Sequence, residues 1–306
     1  MNKKNLILLL ILLFFLALTG IYQYFWLPKT TDSAKEENWL AQVDLTQADK
    51  IIIKRDGKEI VLNKDGARWR VIGEGVWYVE DTLIDNLKNN WAMATSSKMF
   101  IVSNDKTTKP TFKTDGSLSV KLLIKDKTLS ELAVGLTRAS YTYIAKPDSD
   151  VTFEVGGDLR SAFDYAEWRD LSIFSGGGDT IKQIKITQNK TSIFLKKEGT
   201  NWQLVGNAKV KLNQDKVGRI ASLMGELSAN SIPDQKSQNT GLDKNNWTVE
   251  ATGDGFKNVL IIGQEAMRGK EASGDLFVKT ATSSNIYLLG KNLVGVFQAS
   301  LKDLTI

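Results

Sequence analysis

The chain has 306 residues, 42% of them hydrophobic and 25% charged, an ordinary globular composition with room for about two domains. It contains no cysteine and no histidine, which removes disulfides, thiol nucleophiles and thiolate metal sites, and with them the usual general base and commonest metal ligand. The formal charge is +5, and acids and bases alternate without a basic block, so the footprint of a nucleic-acid partner is missing.

The first element in chain order is apolar. From Leu6 to Leu27, 22 residues carry no charge, with Thr19 and Gln23 the clearly polar side chains. As a helix they span ~33 Å, enough for a hydrocarbon core of ~30 Å. A cleavable signal peptide has a shorter apolar run of ~7–15 residues ending in an A-x-A-like site, and Ala17-Leu18-Thr19 matches that poorly. Tyr22, Tyr24, Phe25 and Trp26 suit the aromatic belt of a membrane surface, and Lys3 and Lys4 hold the N-terminus in the cytoplasm. Residues 1–28 are therefore expected to be a cytoplasmic N-terminus and uncleaved transmembrane signal anchor, with 29–306 extracytoplasmic. Residues 29–47 are largely polar, with an isolated Trp39, and read as a linker.

Beyond the linker the chain repeats itself. "IIIKRDGKEIVLNKDGARWRVIG" begins at Ile51 and "IKITQNKTSIFLKKEGTNWQLVG" at Ile184, 133 positions later, without a gap. Ile51 and Ile53 alternate with other residues as a strand with one buried face requires. Asp56-Gly57 signals a tight hairpin, and Gly66 and Gly199 end the second strand of each copy. A third strand then carries Trp69 or Trp202. The helix that follows puts Leu83, Ile84, Leu87 and Trp91 on one face in the first copy. In the second, Val217, Ile220, Met224 and Leu227 take that face. Asp81 or Thr82, and Asn213, are the expected N-caps. Further on, Gly135 in "LAVGL" and Gly263 in "LIIGQ" lie 128 apart, and Tyr143 and Phe277 lie 134 apart. "WRDLSI" at 168–173 and "LKDLTI" at 301–306 restore 133, pairing Trp168 with Leu301 and Asp170 with Asp303. The expected fold is α+β: a transmembrane helix, then two tandem homologous domains over 48–174 and 181–306. Each has an antiparallel sheet and one main helix, and a flexible Gly-rich joint at 175–180 separates them.

These motifs resemble a bacterial family known as domain of unknown function 4340. The resemblance rests on the isoleucine-rich strand, on "KDGARW" and "KEGTNW", and on the hydrophobic-Ile/Val-Gly strand and the "RD" closing phrase, in that order behind a membrane span. It covers about residues 48–306. Leu171 and Leu304 stand where the family often has lysine, Lys302 replaces the arginine, and "GLD" at 241–243 has no counterpart read in the first copy. The resemblance implies a bacterial inner-membrane protein with a protein partner in a membrane complex, as an accessory component of an ABC-type export or gliding-motility-like envelope system. The alternative is an extracytoplasmic protein that binds cell-wall glycan or a small molecule through exposed aromatics.

Few residues invite chemistry. Trp69 and Trp202 recur at one repeat position, as core packing predicts, whereas Trp77 and Trp247 are unmatched and are the candidates for exposed aromatics. Arg169-Asp170 and Lys302-Asp303 are candidates for an interaction site or for a structural clasp, and recurrence favours the clasp. Ser103-Asn104-Asp105-Lys106 fits S-x-x-K without its companion motifs. Asp148 and Asp150 lie in a Pro-Asp turn. "GGG" at 176–178 lacks the lysine and helix of a phosphate loop, and Asn189 and Asn246 open N-x-T sequons. No catalytic, cofactor-binding or metal residue is assigned. A carboxylate or Ser-Lys hydrolase is the remaining enzymatic alternative to a non-enzymatic protein.

Overall fold

The computed structural model describes residues 35–244 and 247–306. The expected membrane span over 6–27 lies outside the described residues. Among the described residues, no helix is long and apolar enough to cross a membrane.

In chain order the first elements are β1 (Lys35–Glu36), β2 (Lys50–Arg55), β3 (Lys58–Asp65), β4 (Arg68–Val71), β5 (Trp77–Tyr78) and α1 (Asp81–Ser96). There follow β6 (Met99–Ser103), α2 (Lys109–Phe112), β7 (Leu118–Ile124), β8 (Lys127–Arg138), β9 (Tyr141–Ala145), β10 (Thr152–Gly156) and α3 (Leu159–Phe163). The remainder comprises β11 (Ser172–Ser175), β12 (Ile181–Gln188), β13 (Thr191–Glu198), β14 (Asn201–Leu204), α4 (Gln214–Gly225) and β15 (Glu226–Ser228). The chain closes with β16 (Trp247–Gly253), β17 (Lys257–Arg268), β18 (Glu271–Thr280), β19 (Tyr287–Gly290) and α5 (Lys291–Phe297). Antiparallel sheets with few helices make this an α+β protein. The chain divides into two compact units, one of residues up to Val61 plus Asp85–Ala166, the other of Leu62–Ile84 plus Glu167–Ile306.

In the first unit the strands follow the order β1-β6-β10-β9-β8-β7-β2, every pairing antiparallel. Ile51 and Ile53 turn inward as their alternation requires, and Asp56 and Gly57 both take positive φ, as a tight hairpin needs. Trp91 of α1 donates its indole N–H to the Val43 carbonyl at 3.0 Å and meets Phe163 edge-on at 6.4 Å. The stretch read as a linker is packed from Asn38 onward. Leu40 and Leu45 are buried, and the Asn38 amide donates to the Ala94 and Ser97 carbonyls, which the end of α1 leaves without helical partners.

Gly157 (φ +89) allows α1 to approach so closely that a Cβ there would meet the Asn90 carbonyl at 2.7 Å. Beside it Asp158 caps α3, accepting from the Ser161 amide and from the Ser161 and Thr137 hydroxyls. Burial alone raises its carboxyl, but the bonds from Ser161 and Thr137 outweigh that and hold it below the usual carboxylate range. A depressed folded pKa stabilises fully above the unfolded value of ~3.9 and is lost as pH falls through the folded pKa. Asp158→Asn is therefore expected to lose less stability than the parent between pH 5 and 2, read as the shift in urea midpoint.

In the second unit β3, β4 and β5 form a meander: Leu62 pairs with Val71, Asp65 with Arg68, and Val71 with Trp77. The main sheet has the order β14-β13-β12-β16-β17-β18-β19, and β11 and β15 form a two-stranded sheet. Val217, Ile220 and Met224 of α4 are buried on the sheet, and Asn213 caps the helix, accepting from the Lys216 amide. Asp81 is the first residue of α1 rather than its cap. The Gly-rich segment expected to be a flexible joint is pressed against α4. The Gly176 amide donates to the Gly225 carbonyl at 2.7 Å, and a Cβ on Gly178 would sit 2.4 Å from the Ser222 Cα.

Several backbone features recur along the chain. Gly66 and Gly199 share φ +62. A Cβ on Gly135 would meet the Phe112 carbonyl at 2.3 Å, and one on Gly263 the Thr240 carbonyl at 2.2 Å. The register of β8 slips between Val134 and Thr137, and that of β17 between Ile262 and Glu265, beside these glycines. Lys113 (φ +54) and Gly241 (φ +71) lie 128 apart, as Gly135 and Gly263 do. "KTD" at 113–115 therefore occupies the backbone position of "GLD" at 241–243, although the phrase itself is absent from the first copy. Thr114 is buried where Leu242 is, and its hydroxyl is bonded to that of Thr152 at 3.0 Å.

Candidate functional site: a cleft in the second unit

The closing phrases act through their backbone. The Glu80 amide donates to the Trp168 carbonyl and the Asp170 amide to the Tyr78 carbonyl, around a bridge between Val79 and Arg169. The same ladder reappears as Asn213 to Leu304, Ile306 to Lys211, and a Leu212–Thr305 bridge. The strand residues are 133 apart but the closing residues are 136 apart. The pairing of Trp168 with Leu301 is thus corrected: Leu304 does the work of Trp168, and both are buried where Leu301 is only partly covered.

That slip separates the candidate charged pairs. Arg169 makes a two-pronged bond to Glu167 at 2.7 and 2.6 Å and lies over the Trp77 ring at 5.4 Å. Burial raises the Glu167 carboxyl, and the Arg169 bonds more than reverse this and leave it lowered. Asp170 accepts from Arg68 at 3.5 Å and from the Ser172 amide at 2.9 Å. Asp303 accepts from the Ser300 amide and hydroxyl, while Lys302 is exposed. The Ser300 bonds hold Asp303 below its ordinary range. Arg169 and Asp170 do not pair with each other, and Asp303 is a turn-forming residue rather than the partner of a second clasp.

The expected exposure of Trp77 is also corrected. It is 3% exposed, edge-on to Tyr287 at 5.3 Å, with its indole N–H on the Glu74 carbonyl at 2.9 Å. Two β5 residues suffice to turn it inward beside β4. Trp247 is half-buried and donates to the Phe297 carbonyl at 3.1 Å. Ser103 accepts from the Asp105 amide and the Thr108 hydroxyl, so the S-x-x-K stretch is a turn, and Asp148 and Asp150 are exposed. Asn246 lies outside the described residues. Among the described residues, no three His, Cys, Asp or Glu side chains gather as a metal ion requires.

The concave site lies elsewhere, between the glycine run and residues that the sequence did not connect with it. A cleft of about 730 Å³ runs between β11 with the glycine segment, the β16–β17 turn and the loop before β19. Ile173, Phe174, Phe256 and Tyr287 supply its apolar surfaces, and Ser175, Thr180, Thr280, Thr282 and Ser283 ring it with hydroxyls. Burial raises the Tyr287 hydroxyl above its ordinary range, partly offset by its bond with Asn285. The charged lining groups are both paired: Asp254 with Lys182 at 2.5 Å and Lys257 with Glu250 at 2.5 Å. Asn258 reaches across the floor to the Met224 carbonyl at the end of α4. The glycine run and Phe174 before it were visible in the sequence. Their meeting with residues 254–287 depends on long-range pairing that one sequence does not reveal.

β14 is closed in a different way. The Trp202 amide donates to the Gln214 side-chain oxygen at 2.7 Å, and the Gln214 amide returns bonds to the Trp202 and Leu212 carbonyls. Gln214 so imitates one residue of an added strand, where β4 has the Val79 amide on the Trp69 carbonyl. An unpaired edge is a template for association, and Phe194 and Val205 nearby are 47% and 58% exposed. Gln214→Ala is expected to lose about 1 kcal/mol and to self-associate with rising concentration, read by sedimentation velocity.

The fold and cleft define an α+β protein of antiparallel sheets with a concave, hydroxyl-rimmed surface. The family model described as Domain of unknown function (DUF4340) matches residues 69–204, in agreement with the resemblance read from the sequence. No curated protein and no solved structure matches the chain.

Proposed function

We propose that the chain is a membrane-anchored extracytoplasmic interaction protein built of two homologous tandem domains, serving as an accessory component of an export-type envelope complex. The observation that carries this reading is the cleft. Its charged groups are held in ion pairs, and its apolar floor with a polar rim suits binding, as ligand sites of ~300–1,000 Å³ generally are. The repeated backbone ladders and paired glycines support the two-copy reading. The apolar run over 6–27, with Lys3 and Lys4 before it, supports the anchor.

Two measurements test it. Because the chain lacks cysteine, a single Lys209→Cys, at an exposed position, reports the side of the membrane. Labelling of intact cells by an impermeant maleimide is expected, and protection until lysis overturns the placement. A photocrosslinking residue at Thr282 is expected to capture a recurrent membrane protein, and recovery of the chain alone overturns the interaction reading. A second reading, a small-ligand or glycan site, is favoured by the hydroxyl ring around Phe174 and Tyr287. It moves the aromatics from Trp77 and Trp247 to the cleft. Stabilisation of the full-length chain by millimolar wall fragments tests it.

A further inference from the structure

We infer that the cleft is a strand-shaped slot whose ligand is an extended peptide segment, held by its main chain. This deepens the interaction reading and rests on it. Residues 173–177 line the cleft consecutively, as do 256–259. Successive residues of a strand alternate between its faces, so a surface lined by unbroken runs follows the edges of the strands. Both edges are open there.

Hydrogen bonds fix which backbone groups point inward. The Gly176 amide bonds to the Gly225 carbonyl, and Phe174 and Ser175 stand opposite Leu227 and Glu226. Paired residues of an antiparallel ladder alternate between bonded and non-bonded positions, so Ser175 turns its N–H and C=O away from β15. Among the described residues β11 has no second strand neighbour, and the Ser175 backbone therefore faces the cleft. On the opposite wall the Gly253 amide bonds to the Phe256 carbonyl and Thr252 stands opposite Lys257. The same alternation turns the Lys257 N–H and C=O away from β16. β18 pairs with β17 only from Leu260, with the Ala281 amide on the Val259 carbonyl, so it stops short of Lys257. Two strand edges thus present donors and acceptors to one slot.

Size and lining agree with a strand as occupant. A strand residue occupies about 160 Å³, from ~3.3 Å of rise, ~4.8 Å between strands and ~10 Å between sheets. A cleft of about 730 Å³ therefore takes roughly four to five residues. Alternate side chains of such a segment would lie over Phe174 and Tyr287 or among the hydroxyls of Thr280, Thr282 and Ser283. Main-chain bonds then give affinity and the alternate pockets give selectivity, the usual division in strand addition.

The test uses the full-length chain in detergent micelles. The probe is a pooled library of capped hexapeptides, apolar at alternate positions and Ser, Thr, Lys or Glu between. Retained peptides are expected to slow amide exchange at least tenfold in 173–177 and 256–259. The same pool N-methylated on alternate amides is expected to be lost. Thr282→Trp, which fills the slot, and Ser175→Pro, which deletes one inward N–H, are each expected to abolish retention. The inference is overturned if no pool is retained above the Thr282→Trp background, or if the N-methylated pool binds equally. It is also overturned if an N-acetylglucosamine tetramer protects these segments while no peptide does. A partner crosslinked elsewhere on the chain leaves the interaction reading standing and sinks this one alone.

Discussion

Gly225→Ala will cost about 3 kcal/mol, the upper range for forcing extra atoms into a packed site. A Cβ at Gly225 would stand within 2.7 Å of three backbone atoms: the Gly178 N and Cα and the Gly176 O. Main chain cannot swing aside as a side-chain tip can, so either α4 shifts or the glycine segment lifts and the Gly176–Gly225 bond breaks. Gly218 is the control. It lies on the same helix with nothing within 4 Å of its Cβ position, and Gly218→Ala is expected to stabilise by about 0.5–1 kcal/mol through helix propensity. Urea unfolding of the two variants should therefore move in opposite directions. Equal midpoints would mean that the glycine segment does not rest on α4.

The second large effect separates two alignments of the closing phrases. Trp168→Ala is expected to cost about 3–5 kcal/mol and Leu304→Ala about 2–5 kcal/mol, as buried large-to-small changes do. Leu301→Ala should cost clearly less, because Leu301 is only partly buried while Leu304 is fully so. Had textual similarity been the guide, Leu301 would be the residue in the Trp168 position and would carry the larger loss. A thermal or urea series on these three variants decides it, and a Leu301→Ala cost above that of Leu304→Ala would overturn the 136-residue register.

Local rules made much of the fold legible. Ile51, Ile53, Ile184 and Ile186 are buried at alternate positions, and Asn213 caps its helix as its chemistry requires. Gly66 and Gly199 take the φ that favours glycine. What escaped were choices between equally good local readings. "KTD" and "GLD" share no lettering at their first two positions, yet both bring a left-handed residue and a carbonyl against a glycine. "WRDLSI" and "LKDLTI" look alike but sit three residues out of step, because the ladder constrains the backbone rather than the side chains. Trp77 has Val210, not a second tryptophan, 133 positions on, and that mismatch suggested exposure; it is buried by Tyr287, more than 200 positions away in sequence. The cleft was illegible for the same reason, since Ser175 and Lys257 acquire their shared role only through the topology.

The make-up of the second unit has a consequence for how the chain is born. Its meander, residues 62–84, is complete long before Asn285, whose amide bonds to the Val76 carbonyl, or Tyr287, which covers Trp77. At about 5–20 residues per second, that wait is roughly 10–40 s of synthesis. During it Trp77 stands uncovered by its final neighbour. Whatever surface shelters that tryptophan in the interval, on the chain or on a chaperone, must then be surrendered to the C-terminal half.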